Sequence, residues 1–309
     1  MIRHGYTKLK KQRWRCRKCN VTGLKKRKDV DIRNNERLKS KWLTGFDSLR
    51  KIAKKKRVHR TTLSRKFSSL TNKIRLNKLK HLPNKLILIL DGKRISCDDN
   101  LILSYEYLSK QPFAWLFDER ENFDSWFALM NRIKKDYEVD AIVSDGQKGL
   151  IKAVKMIFGD IPHQRCVAHI KRFCLSKLTQ NPKSNAGKEL RILVCKISKI
   201  KTSAEADEWK KSFLEWDDKY KNFLKEKSIN PLTNRSWYTH RKLRAVRSHL
   251  KNATGTMFLY TENINIPNTT NHVEGGVNSP LSELLRRHRG IKKEEKRLLV
   301  LSYLSNRRK

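Results

Sequence analysis

The sequence predicts an α/β fold, a mixed sheet interrupted by an all-α insertion and preceded by a basic arm and a helical pair. Three observations carry that reading. Two short runs, Leu86–Leu90 and Ala141–Ser144, are too short for helices and each ends at an Asp-Gly pair. Between and after them the pattern runs strand, strand, strand, helix, strand, helix. Residues 185–250 then read as mainly helical, with Trp209, Trp216 and Trp237 among them.

Charge narrows the function classes. The 309-residue chain holds 72 Lys and Arg against 30 Asp and Glu, a formal charge of +42, and such a field calls for a polyanionic partner. No stretch reaches the roughly 18 consecutive apolar residues of a membrane span, and no signal-peptide pattern opens the chain. A soluble, intracellular protein is the expectation, with a nucleic acid as partner and no membrane role. Charge by itself supports nucleic-acid binding and says nothing of catalysis.

Taken in order, residues 1–30 are basic and hold Trp14 and the pair Cys16-Arg-Lys-Cys19 without any apolar run. Cys16 and Cys19 have the spacing of half a zinc ribbon, but a closed structural site needs four ligands and no second Cys-x-x-Cys exists, so a Zn²⁺ site is incomplete as written. The six cysteines lack the dense spacing of a disulfide scaffold, and reduced thiols are expected. From Asn34 to about Leu70 the spacing turns helical, with Leu38, Trp42, Leu43, Phe46, Leu49, Ile52, Ala53, Val58, Leu63 and Phe67 as the apolar set. A turn at Val58 followed by Arg60, Thr61, Thr62 and Arg65 at the start of a second helix suits a helix-turn-helix DNA reader; an ordinary basic hairpin of helices is the bland alternative.

Leu86–Leu90 reads as a buried central strand with Asp91 at its C-terminal end. Strand-like runs follow at Leu101–Leu108 and Phe113–Phe117. Phe123–Ile133 then forms an amphipathic helix with Trp126, Phe127 and Met130 inward. Ala141–Ser144 is the next strand, ending at Asp145 and leading into a helix over Leu150–Phe158. Residues 272–289 open with a Thr-Asn cap and continue as a helix holding Glu274.

An acid at the end of an apolar strand is costly to bury uncompensated, so it faces a cleft where a cation or donor neutralises it. If the strands of Asp91 and Asp145 are neighbours, their carboxylates converge on one edge, and Glu274 from a later helix can complete a two-metal site for Mg²⁺ or Mn²⁺. Each acid also has a plain reading: Asp91-Gly and Asp145-Gly are common turns, and Glu274 suits a helix N-terminus. Taken together, the element order and the acid positions form an RNase H-like arrangement.

Several strings resemble the bacterial insertion-sequence transposases of the Mutator superfamily, with their Asp-Asp-Glu triad. Ile142-Val-Ser-Asp145-Gly-Gln-Lys-Gly149 is similar to the second-aspartate motif. Gln164-Arg-Cys166-Val-Ala-His169-Ile-Lys-Arg is similar to the Cys-x-x-His signature. Thr270-Asn-His-Val-Glu274-Gly-Gly-Val-Asn278 is similar to the glutamate motif, with Leu284, Arg287 and Gly290 continuing it. The resemblance spans residues 85–290 and implies an all-helical insertion between the second Asp and the Glu, together with metal-dependent cleavage and transfer of element ends. The family also carries a zinc ribbon, whose second half Gln12-Arg-Trp-Arg-Cys16-Arg-Lys-Cys19 resembles; a truncated reading frame or a late start codon is the simplest expectation for the missing half.

The resulting division is a basic arm at 1–30, a helix-turn-helix at 34–80, a catalytic core at 84–180 and 260–309, and a helical insertion at 181–259. Asp91, Asp145 and Glu274 are the candidate catalytic and metal-binding residues, with Cys166 and His169 supporting. Arg60, Arg65, Arg286, Arg287 and Arg289 are the candidates for DNA contact, and a homodimer or larger assembly on DNA is expected. The rivals are a DNA-binding protein that keeps an inactive transposase fold, and a nuclease of the same fold that cuts without joining.

Overall fold

A computed structural model describes residues 1–24, 28–45, 47–68 and 82–308. Phe46 and residues 69–80 of the predicted helix-turn-helix segment lie outside them. The chain divides into two compact units, Met1–Leu76 with Leu284–Tyr303, and Asn77–Glu283 with Leu304–Lys309. Residues 284–303, grouped with the catalytic core on the sequence, thus cluster with the amino-terminal part.

The first unit opens with strands β1 (Ile2–Tyr6), β2 (Gln12–Arg15) and β3 (Thr22–Leu24), an antiparallel meander in which every residue is exposed or half-buried. The arm is therefore a small sheet held by backbone pairing, with hardly any core beneath it. Cys16 and Cys19 flank its second turn, where Asn20 takes φ +55° and donates its N–H to the Cys16 carbonyl. Three helices follow: α1 (Lys28–Thr44), α2 (Leu49–Lys55) and α3 (Arg60–Ser68). Ser48 caps α2 through its hydroxyl, which accepts from the Lys51 N–H. Ile52, Ala53, Leu63 and Phe67 are buried as their spacing predicts, whereas Val58 in the turn is 37% exposed. Trp42 packs on Phe67 at 5.4 Å and edge-on against His288 at 5.1 Å. The buried Lys39 ammonium donates to the Phe67 carbonyl at 2.6 Å near the end of α3; burial pulls its pKa down, against the charge of Glu295.

The second unit is built on a five-stranded sheet. Its strands are β4 (Leu86–Ser96), β5 (Asp99–Glu106), β6 (Gln111–Asp118), β7 (Val139–Ser144) and β8 (His163–Arg165), in the spatial order β6-β5-β4-β7-β8. β4 pairs antiparallel with β5 and parallel with β7, and β7 pairs parallel with β8. Helices α4 (Phe123–Asp136) and α5 (Lys148–Phe158) bury Trp126, Leu129, Met130, Leu150 and Val154 against Leu86, Leu88, Leu90 and Ile142. Phe127 is only half-buried on that face. α4 starts at a capping box in which Asn122 and Ser125 satisfy each other's N–H groups.

β4 differs from its sequence expectation. The apolar run implies a strand ending at Asp91, yet β4 runs on to Ser96, because β5 continues to pair with it past the point where β7 stops. What ends at Leu90 is the parallel ladder, not the strand.

The insertion comprises α7 (Asn185–Lys196), α8 (Ser203–Lys219) and α9 (Arg241–Ala253), which share with the preceding α6 (Val167–Lys177) a second core that includes Leu190, Trp209, Phe213, Trp216, Val246 and Leu250. It is not all helical: β9 (Lys227–Ile229) and β10 (Ser236–Tyr238) form an antiparallel hairpin before α9, and Trp237 lies on it rather than in the core. The segment predicted as one helix over 272–289 is three pieces: a turn α10 (Asn271–Val273), a π-helical stretch Glu274–Asn278, and α11 (Ser279–Arg287). Gly275 and Gly276 lower helical propensity there, and Pro280 has no N–H to give the preceding turn. α12 (Lys293–Asn306) closes the described chain.

Candidate catalytic site

Register brings the two aspartates together. Leu90 opposite Ser144 is the last rung of the parallel β4–β7 ladder, and Asp91 and Asp145 are the next residues on each strand. The two acids thus stand at the same level, Asp91 inside β4 where it still pairs with β5, and Asp145 just past the end of β7 in the loop into α5.

Asp91 is 9% exposed and its pKa is pushed up to about 7. Burial is the main cause; the negative charges of Asp145, Glu274 and Glu121 add to it, and His169 opposes it. Asn278, from the π-helical stretch, donates its Nδ2 to Asp91 Oδ2 at 2.6 Å, while its own buried Oδ1 lacks a partner. Asp145 Oδ1 accepts the Gln147 N–H at 3.0 Å. The Gln147 side chain donates to the Glu121 carbonyl at 2.9 Å and accepts from Trp126 Nε1 at 3.1 Å, which ties the Asp145 turn to the start of α4.

Two glycines border this packing. Gly146 has φ +87°, and a Cβ there would run into the guanidinium of Arg165, whose buried charge faces Asp145. A Cβ on Gly92 would collide with the carboxyl group of Glu121. Glu121 is thus a fourth acid of the cluster that the sequence reading missed. Burial, then the charge of Asp145, raises its pKa, against a hydrogen bond with Trp126. It precedes a capping residue in a charged turn, a pattern with no periodicity to mark it.

Glu274 is held from three sides. Its Oε1 lies 3.2 Å from His169 Nε2 and accepts from Thr270 Oγ1 at 3.2 Å, and its Oε2 accepts from Arg172 Nη2 at 3.1 Å. Cys166 sits beneath, fully buried, with its Sγ accepting from the Thr270 N–H at 3.3 Å and lying 3.4 Å from Thr270 Oγ1. Burial pushes the Cys166 thiol up, but hydrogen bonds with His169 and Thr270 outweigh it and the net shift is down. The bond with Cys166 raises the His169 pKa, against its burial. Cys-x-x-His is therefore the base on which the glutamate rests, since residues three apart on the first turn of α6 share a face.

Among the described residues no group of three His, Cys, Asp or Glu side chains stands close enough to hold a metal ion. The donor set is nonetheless all oxygen, as hard divalent cations take, and after burial it is the neighbouring charges of Asp145, Glu274 and Glu121 that raise the Asp91 pKa, against His169. By chemistry the residues fit such a cation. Cys16 and Cys19 are free thiols. Arg60 and Arg65 are exposed on α3, and Arg286, Arg287 and Arg289 are exposed in the same unit. No helix among the described residues is long and apolar enough to cross a membrane.

Residues 109–238 match the model of a protein family described as Transposase, Mutator family. The matched segment contains Asp145, Cys166 and His169 and excludes Asp91 and Glu274. No curated protein matches the chain. Over residues 109–238, then, this chain is similar to the Mutator-family transposases.

Proposed function

We propose that the protein is an active DNA transposase whose catalytic core is RNase H-like, cutting and transferring the strands of element ends with Mg²⁺ or Mn²⁺ held by Asp91, Asp145 and Glu274. The observation that carries this reading is the shared level of Asp91 and Asp145 past the last Leu90–Ser144 rung, with Glu274 close enough to raise the Asp91 pKa. The sheet order, with β4 central between an antiparallel and a parallel partner, supports the fold assignment.

Divalent cations at such a site supply activation of a water or a 3′-hydroxyl and stabilisation of the leaving oxygen. The chain's own residues do the positioning. His169 and Thr270 fix Oε1 of Glu274, Arg172 holds Oε2, and the Asn278 amide orients Asp91. Gln147 anchors the Asp145 turn. Arg60, Arg65, Arg286, Arg287 and Arg289 are proposed to contact phosphates, in a homodimer or larger assembly on duplex DNA at the bacterial nucleoid.

The deciding experiment compares the parent and Asp145→Ala on DNA carrying the element's own ends, with Mg²⁺ or Mn²⁺, at matched folding and DNA binding. Nicking and joining by the parent alone supports the reading. Binding without cutting by both marks an inactive DNA-binding derivative, and cutting without joining marks a nuclease.

A further inference from the structure

The helical insertion is divided by charge. α8 is acidic, with Glu205, Asp207, Glu208, Glu215, Asp217 and Asp218, whereas from Lys221 to Lys251 the sole acid is Glu226 in a run of Lys and Arg. That acid is engaged by His240 at 2.9 Å. Within the basic half stands the β9–β10 hairpin. Its turn is fixed by reciprocal backbone bonds between Asn230 and residues 234–235, and by Asn230 Oδ1 accepting from the Leu232 N–H at 2.8 Å.

The hairpin presents rings rather than burying them. Trp237 and Tyr238 are each 38% exposed. Arg244 lies 3.5 Å over the Tyr238 ring and Lys227 lies 5.6 Å from it, while Arg241 lies 5.6 Å from the Trp237 ring. The hairpin therefore offers two part-exposed aromatic faces with cations beside them, Arg241 at Trp237 and Arg244 and Lys227 at Tyr238. Unpaired nucleotides fit it in both respects: a base stacks on the ring while the adjacent phosphate meets the cations. Duplex DNA offers only half of this, because its bases are already stacked.

We propose that the β9–β10 hairpin and the start of α9 bind single-stranded DNA, with Trp237 as the stacking platform and Arg241 and Lys227 as phosphate contacts. The inference depends on the proposed function only in taking DNA as the substrate; it does not need the metal triad.

The test uses the full chain carrying Asp145→Ala, in EDTA, so that no cutting intervenes. Single-stranded DNA substituted with bromodeoxyuridine is photo-crosslinked and the attachment mapped. In parallel, affinities for single-stranded and duplex DNA are measured with Trp237→Ala and Trp237→Tyr. The expected result is attachment within residues 227–241, a loss of about tenfold in single-strand affinity for Trp237→Ala, unchanged duplex affinity, and recovery with Trp237→Tyr. Equal losses for both DNA forms, attachment elsewhere, or no loss at all would overturn the proposal. So would equal loss of binding to anionic lipid vesicles. None of these outcomes bears on whether the parent cuts DNA.

Discussion

His169 Nε2 stands 3.2 Å from Glu274 Oε1, joining the Cys-x-x-His turn of α6 to the glutamate motif more than a hundred residues later. Cys166 holds Thr270, and His169 and Thr270 together hold the carboxylate. His169→Ala is expected to lower cleavage about 10- to 100-fold with folding intact, as loss of a group that orients a ligand does. Cys166→Ala leaves the buried Thr270 N–H without an acceptor, at a cost of about 1–3 kcal/mol. Cys166→Ser, which keeps an acceptor, is expected to retain more stability than Cys166→Ala. Thermal melts beside cleavage assays check both.

Asp91→Asn should separate stability from activity. The Asp91 pKa is raised from 3.8 to about 7, so between those values the unfolded chain has released a proton that the folded chain keeps. Stability therefore falls as pH rises through that window and levels off above it. The Asn variant lacks the slope and is expected to gain about 1–3 kcal/mol near pH 8 while losing cleavage. Adding Mn²⁺ should raise the parent's melting temperature and leave the variant's unchanged.

His163 predicts the opposite slope. Its Nε2 lies 2.7 Å from Ser144 Oγ, and burial, helped by the Arg165 charge, lowers its pKa from 6.5 to about 4. Above pH 6.5 both states are neutral. Below it the unfolded chain gains the proton first, so stability is lost as pH falls toward 4, at up to about 1.4 kcal/mol per pH unit. Because Asp91 acts oppositely over part of this range, the difference between the parent and His163→Gln across pH 4–7 is the quantity to measure.

Gly146→Ala combines a positive φ of +87° with a collision against Arg165. A loss of about 1–3 kcal/mol is expected from the backbone alone, read by chemical denaturation. Displacement of Arg165 would also uncover Asp145, so cleavage should fall at temperatures where the variant remains folded.

Arg60→Ala and Arg65→Ala on the exposed face of α3 should weaken duplex binding uniformly across sequences and reduce the slope of log affinity against log salt by about one for each phosphate contact removed. A variant that instead changes preference between sequences would indicate contact with base edges.

Much of the central sheet was legible because its strands are apolar runs of the right length, and α4 because its apolar residues recur at a helical period. Glu121 was not, since a single acid in a charged turn carries no pattern; in the fold its carboxyl group lies against Gly92 and near the charge of Asp145. The hairpin was hidden for a related reason: Lys227–Ile229 and Ser236–Tyr238 are three residues each, too short for alternation to register.

The sequence by itself determined the charge of +42, the strand–helix order and the positions of Asp91, Asp145 and Glu274 along the chain. Those follow from composition and local periodicity. Only the tertiary structure decided that β4 runs past Asp91, that Leu90 opposite Ser144 sets both aspartates at one level, and that His169, Thr270 and Arg172 grip Glu274. Register and long-range hydrogen bonds join residues far apart in the chain, and a local pattern holds no record of which distant segment will supply the partner.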